Sequence, residues 1–172
     1  MIRKIFLILG LLLFLFSCQR PINETPWMEC ALKYKGKVYE REGGANDPLI
    51  VKALVLAGFK AEDIDDNKIG WCASWLGYIL HESGITPTYS ALGSSYRNFG
   101  VRVKARKGAI AITKDDHVAF LVSTRIHKTN SGDCYELLGG NQTDRFQISL
   151  YKITDIDEFR MPTKKDLMEN HK

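Results

Sequence analysis

Gly108-Ala109-Ile110-Ala111-Ile112-Thr113-Lys114-Asp115-Asp116-His117-Val118-Ala119-Phe120-Leu121-Val122 is the stretch that decides the fold. Two runs rich in β-branched and apolar residues, 109–113 and 118–122, flank Lys114-Asp115-Asp116, so the segment reads as a β-hairpin closed by a polar turn. Beyond it, residues 134–138 and 147–153 make two more strands, joined by a loop holding Gly139, Gly140 and Asp144. Before it the pattern is helical. Helices first and an antiparallel sheet afterwards describe an α+β domain.

Three helices precede the hairpin. The first covers 27–34, just after Pro26 and with Gly36 near its end. The second is announced by Asp47-Pro48, an N-cap carboxylate followed by proline at the first helical position, and Gly58 stops it. It is apolar nearly all round and so packs on more than one side. The third covers 72–82, where Ala73, Leu76, Ile79 and Leu80 fall three to four apart and mark a core-facing stripe. A shorter helical piece, 90–98, closes at Gly100. The polar segment 125–132 reads as a loop, and 161–172 as a charged, frayed tail. No internal repeat or low-complexity block interrupts this order.

Residues 1–17 are a targeting segment and stand outside the fold. Arg3 and Lys4 form a basic start, and the apolar run that follows is too short to span a bilayer comfortably. It ends in Leu15-Phe16-Ser17-Cys18, which resembles a bacterial lipobox, with Cys18 as the lipidated residue. An ordinary signal peptide cut near Ser17 and a membrane-anchoring helix are the alternatives. Residues 18–26, polar and with two prolines, read as a tether, leaving 27–160 as one domain. The expectation is a protein anchored by lipid to the membrane of a bacterial cell envelope. Gln19 after the cysteine, where aspartate signals inner-membrane retention, favours the outer membrane and periplasm. The formal charge of +4 falls by two with the leader, too little to argue for nucleic acid.

With Cys18 lipidated, Cys30, Cys72 and Cys134 remain, an odd count in an oxidising compartment. Either Cys30 bonds Cys134 and leaves Cys72 free, or both are small buried apolar residues. No Cys/His cluster suggests a metal, and no cofactor is implied.

Cys72 starts a helix, where unpaired N–H groups favour a thiolate. His117 opens a strand and has the pKa range to take and return a proton. Asn141 follows the next strand and is the candidate to orient the far ring nitrogen of His117. Trp71, Asp116 and Gln142 flank these three as candidates for substrate binding or support. Each has a plainer reading: Cys72 as packing, His117 as a solvent-edge residue, Asn141 as a turn residue with positive φ and Asp116 as a turn residue. His81, His127 and His171 lie too far along the helix, in a loop and in the tail.

Trp71-Cys72-Ala73, His117-Val118-Ala119-Phe120 and Gly139-Gly140-Asn141-Gln142, in this order, resemble the small bacterial and phage cysteine hydrolases of the NlpC and CHAP kind. Gly84-Ile85, the 94–100 piece and Lys107-Gly108-Ala109-Ile110 are similar as well. Asp116 stands where that family has glycine, and Lys107-Gly108 lacks the nearby proline and aspartate. The resemblance implies a papain-like fold with Cys72 as nucleophile, His117 as base and acid, and Asn141 as orienting group. It also implies cleavage of an amide bond of peptidoglycan, either within the stem peptide or at its junction with the glycan. Two alternatives stay open: an inactive wall- or partner-binding lipoprotein on the same fold, and a hydrolase of another acyl substrate.

Overall fold

A computed structural model describes residues 25–39 and 46–169. The leader, the lipidation candidate Cys18 and the first part of the tether lie outside the described residues. Among the described residues three α-helices come first: α1 (Pro26–Tyr34), α2 (Pro48–Leu56) and α3 (Cys72–Glu82). Seven strands follow: β1 (Val101–Val103), β2 (Ile110–Thr113), β3 (Val118–Leu121), β4 (His127–Thr129), β5 (Gly132–Gly139), β6 (Gln147–Lys152) and β7 (Ile156–Met161). The chain is an α+β fold with N-terminal helices on a C-terminal antiparallel sheet.

The helices begin where local chemistry dictates. Asp47 accepts from the Leu49 and Ile50 N–H groups at 2.8 and 3.4 Å, and Pro48 takes the first helical position. Asp66 in turn accepts from the Asp47 N–H at 2.7 Å, which ties the start of α2 to the loop before α3. The apolar surface of α3 lies between α2 and the sheet, with Trp75, Leu76, Ile79 and Leu80 buried. Trp27, Trp71 and Trp75 are all fully buried in this layer. Trp75 stacks on Tyr78 and meets Tyr34 and Phe146 edge-on, which joins α1, α3 and the start of β6.

In the sheet the strands run in the order β1-β7-β2-β3-β5-β4, with β6 along the length of β5. β5 is long enough to pair β4 through its first half and β3 through its second. Alternation sends Val118 and Phe120 to the helices and Ala119 and Leu121 to a second apolar cluster with Ala111 and Leu137. His117 has the parity of Ala119, so its ring belongs to the second face.

Three segments differ from the sequence reading. The polar 125–132 segment contains β4, held by pairing with β5 even though its own side chains are polar. The 90–98 piece is a 3₁₀ helix over Gly93–Asn98. Residues 161–169, the described part of the stretch read as a tail, are not frayed. Met161 is buried at the end of β7, and Thr163 and Asp166 cap a short 3₁₀ turn reciprocally. Met168 donates its N–H to Gly84 O, and Thr86 donates its own to Asp166 O, so the segment packs beside the end of α3. Its charged side chains hid this, because the pairing is made by backbone. Among the described residues no helix is long and apolar enough to cross a membrane.

Candidate active site

Cys72 is the first residue of α3, and the Trp71 side chain makes no capping bond to the helix start. The N–H groups of Cys72 and Ala73 are thereby left to the sulfur, and the Val118 N–H of β3 reaches it from the sheet. All three favour the thiolate, and burial opposes them. Burial is the larger effect and pushes the Cys72 thiol above its ordinary value, with the negative charge of Asp115 adding to the rise.

His117 immediately precedes Val118, whose N–H reaches the sulfur, and the Tyr151 phenol that stacks on the His117 ring also feels the Cys72 charge. The turn that delivers the histidine is closed by the Thr113 N–H donating to His117 O at 2.9 Å. The His117 ring lies parallel to that of Tyr151, with centroids 5.4 Å apart and an interplanar angle of 4°. Its Nε2 is 3.3 Å from the side-chain amide of Gln142. That amide is satisfied at both ends when its oxygen faces the ring. Its nitrogen then donates to Ser149 Oγ at 2.8 Å and Gln147 O at 3.0 Å, and the oxygen accepts from the Gly139 N–H. In this orientation His117 carries its proton on Nε2 and gives it to Gln142, leaving Nδ1 with a lone pair. Burial holds His117 below its ordinary pKa, and the Asp115 carboxylate works in the other direction.

Tyr151 and Asp115 complete the candidate site. Burial pushes the Tyr151 phenol up to about 12, with the charges of Asp115 and Cys72 adding to the shift. Asp115 is held below the usual carboxylate range chiefly by the Thr113 hydroxyl 2.5 Å away, with help from its own N–H and that of His117. A cavity of about 270 Å³ opens here, lined by Thr113, Lys114, Asp115, Tyr151 and Asp155. Neither Tyr151 nor Asp115 stood out in the sequence. Asp115 was hidden in a turn, and Tyr151 lies on a strand whose sequence says nothing of which ring it meets.

The two glycines before Asn141 are explained by close approach. A Cβ on Gly139 would lie 2.5 Å from the end of the Gln142 amide that faces the ring, 2.7 Å from Ala119 Cβ and 3.3 Å from His117 Nε2. A Cβ on Gly140 would lie 2.6 Å from the Trp71 ring. Trp71 is therefore a buried support beneath the β5 end and not a surface for substrate.

Asn141 does not take the place expected of it. It has φ +54°, and its amide nitrogen lies beside Gly70, while Gln142 takes the His117 ring. β5 ends at Gly139, and the left-handed turn at Asn141 carries its side chain away and brings Gln142 in. Asp116 is likewise turned away from the imidazole and pairs with Arg97 at 2.8 Å. Of the two readings left open for Cys30 and Cys134, the disulfide is absent, for both are free thiols. Cys30 lies on α1 against Ser83 at the end of α3, whereas Cys134 is in β5 beside Thr129, in a different layer.

The arrangement provides a thiol on backbone donors, an imidazole with one nitrogen free and the other held, and an open cavity at the side. This set of groups can attack a carbonyl and return a proton to a leaving group. No protein-family model and no curated protein matches the chain.

Proposed function

We propose that the protein is a papain-like cysteine hydrolase that cleaves an amide bond of peptidoglycan. One observation carries the chemistry: the Cys72 sulfur, at the start of α3, is approached by the N–H of Val118, the residue that follows His117, whose Nε2 rests on Gln142. The wall as substrate rests on the resemblance to the NlpC and CHAP hydrolases and on the lipobox-like start.

In this reading His117 Nδ1 takes the proton of Cys72, and the sulfur attacks the carbonyl carbon of the amide. The oxyanion meets backbone N–H groups at the start of α3, that of Cys72 included. The imidazolium returns its proton to the departing amine, the C–N bond breaks, and a thioester remains on Cys72. Water, deprotonated by His117, attacks the thioester; the acid leaves and the thiol regains its proton. Gln142 holds the ring in the tautomer this sequence needs, and Tyr151 covers one face.

A second reading, a binding lipoprotein without catalysis, is favoured by the directions of the two pKa shifts. Burial raises Cys72 and lowers His117, so the resting pair is neutral and the nucleophile is scarce. The two readings separate on purified peptidoglycan treated with the protein and with Cys72→Ala, the soluble products being identified by mass. Fragments released only by the intact thiol support the hydrolase, and their ends name the bond. Equal fragments from both proteins, or none from either under reducing conditions, would overturn it.

A further inference from the structure

Asp116 has φ +62°, in a region that side chains other than glycine rarely occupy. It is also the residue through which the β2–β3 turn passes into His117. The Gly93–Asn98 segment grips it in two ways. A Cβ on Gly93 would lie 1.6 Å from the Asp116 carbonyl oxygen, so only glycine lets the two backbones approach this closely. Arg97 places Nε and Nη2 at 3.0 and 2.8 Å from Asp116 Oδ1. The same Nη2 donates to Thr113 O at 3.3 Å, and Nη1 pairs with Asp157 of β7. A single guanidinium thus ties both ends of the turn, Thr113 and Asp116, to the neighbouring strand.

These pairs are partly exposed, so they add little to stability. Their geometry is a different matter, because a planar fork fixes direction as well as distance. We infer that Arg97 is a positioning residue for His117, its grip on Asp116 and Thr113 fixing the turn that aims the imidazole at Cys72. This rests on the reading of Cys72 and His117 as the reactive pair. The hydrogen bonds of Arg97 go to Asp116, Asp157 and Thr113 O, none of them to Gln142, Tyr151 or Asp115, the groups around the ring. An aspartate occupies this backbone region, and an arginine holds it.

The test uses the full chain with Arg97→Met, Asp116→Gly and the double variant. Glycine takes the φ of Asp116 without strain, so the second variant keeps the test independent of any folding defect in the first. The His117 ring protons are followed by NMR through a pH titration, with wall digestion measured beside it. In the unaltered protein the Tyr151 ring current displaces these signals, and the ring titrates below 6.5. Each single variant is expected to lose much of that displacement and to titrate closer to 6.5, and the double variant to go no further. Turnover should fall about tenfold with KM unchanged, as for a misaimed catalytic group. Folded variants with His117 signals and titration like the unaltered protein would overturn the inference, even with a lowered melting temperature. If the unaltered protein digests no wall, the proposed function fails, while the NMR comparison still decides the role of Arg97.

Discussion

Replacing Gln142 by alanine tests which amide serves the histidine. Gln142 is 4% exposed, and its oxygen is the partner of His117 Nε2–H. Removing it leaves a buried N–H without an acceptor, which costs about 1–3 kcal/mol. If the imidazolium of the transition state bears that cost in full, turnover falls about 5- to 150-fold, since 1.4 kcal/mol is a factor of ten. The same substitution removes the bonds to Ser149 and Gln147 O, so melting temperature must be measured too, and rates compared well below it. Asn141→Ala is the control. Its amide lies beside Gly70, and it is not among the hydrogen-bond partners of Cys72 or His117, so turnover should stay within about twofold, the scale of a change of under 0.5 kcal/mol. The assay is release of soluble fragments from purified peptidoglycan. An Asn141→Ala protein slower than Gln142→Ala, with both folded, would refute the assignment of the ring's partner.

The pH dependence of Cys72 alkylation by iodoacetamide follows from the two shifts. With the thiol raised above 9.0 and the imidazole lowered below 6.5, the rate should climb roughly tenfold per pH unit between 7 and 9, and a plateau below pH 7 would show a preformed thiolate–imidazolium pair instead. Hydrolysis needs neutral His117 as base, so its acid limb should lie below pH 6.5. Since the unfolded histidine takes a proton first, the fold should also lose stability as pH falls through 6.5, measurable by urea denaturation. Gly139→Ala forces a Cβ against Ala119 and the His117–Gln142 contact, and should reduce turnover more than it lowers the melting temperature; a protein that is merely less stable would contradict the close approach.

Much of the architecture was written in local chemistry. Asp47-Pro48 marked the start of α2, and the spacing of Ala73, Leu76, Ile79 and Leu80 marked α3, because capping and core-facing periodicity are properties of a few adjacent residues. β4 and the segment after Met161 were not legible for the opposite reason. Both are held by backbone pairing to distant chain, and their side chains are polar. Such partners leave no periodic trace in the segment they stabilise.

The same boundary between local and distant runs through the candidate site. Cys72 and His117 could be picked out because a helix start and a strand start are local events with chemical consequences. The choice between Asn141 and Gln142 could not be made so. Strand alternation would decide it if β5 continued, but β5 stops at Gly139, and a left-handed residue intervenes. Once φ turns positive, the next side chain no longer follows the parity of the strand. What brings Gln142 to the ring is the set of groups that take its amide, Ser149, Gln147 O and the Gly139 N–H, two of them on β6. Tyr151 comes to the same ring from the other end of that strand. β6 thus supplies both the support behind Gln142 and the face that covers His117, which makes it the element on which the histidine's geometry most depends. A change on β6 that left Cys72 untouched should therefore disturb proton transfer before it disturbs the thiol.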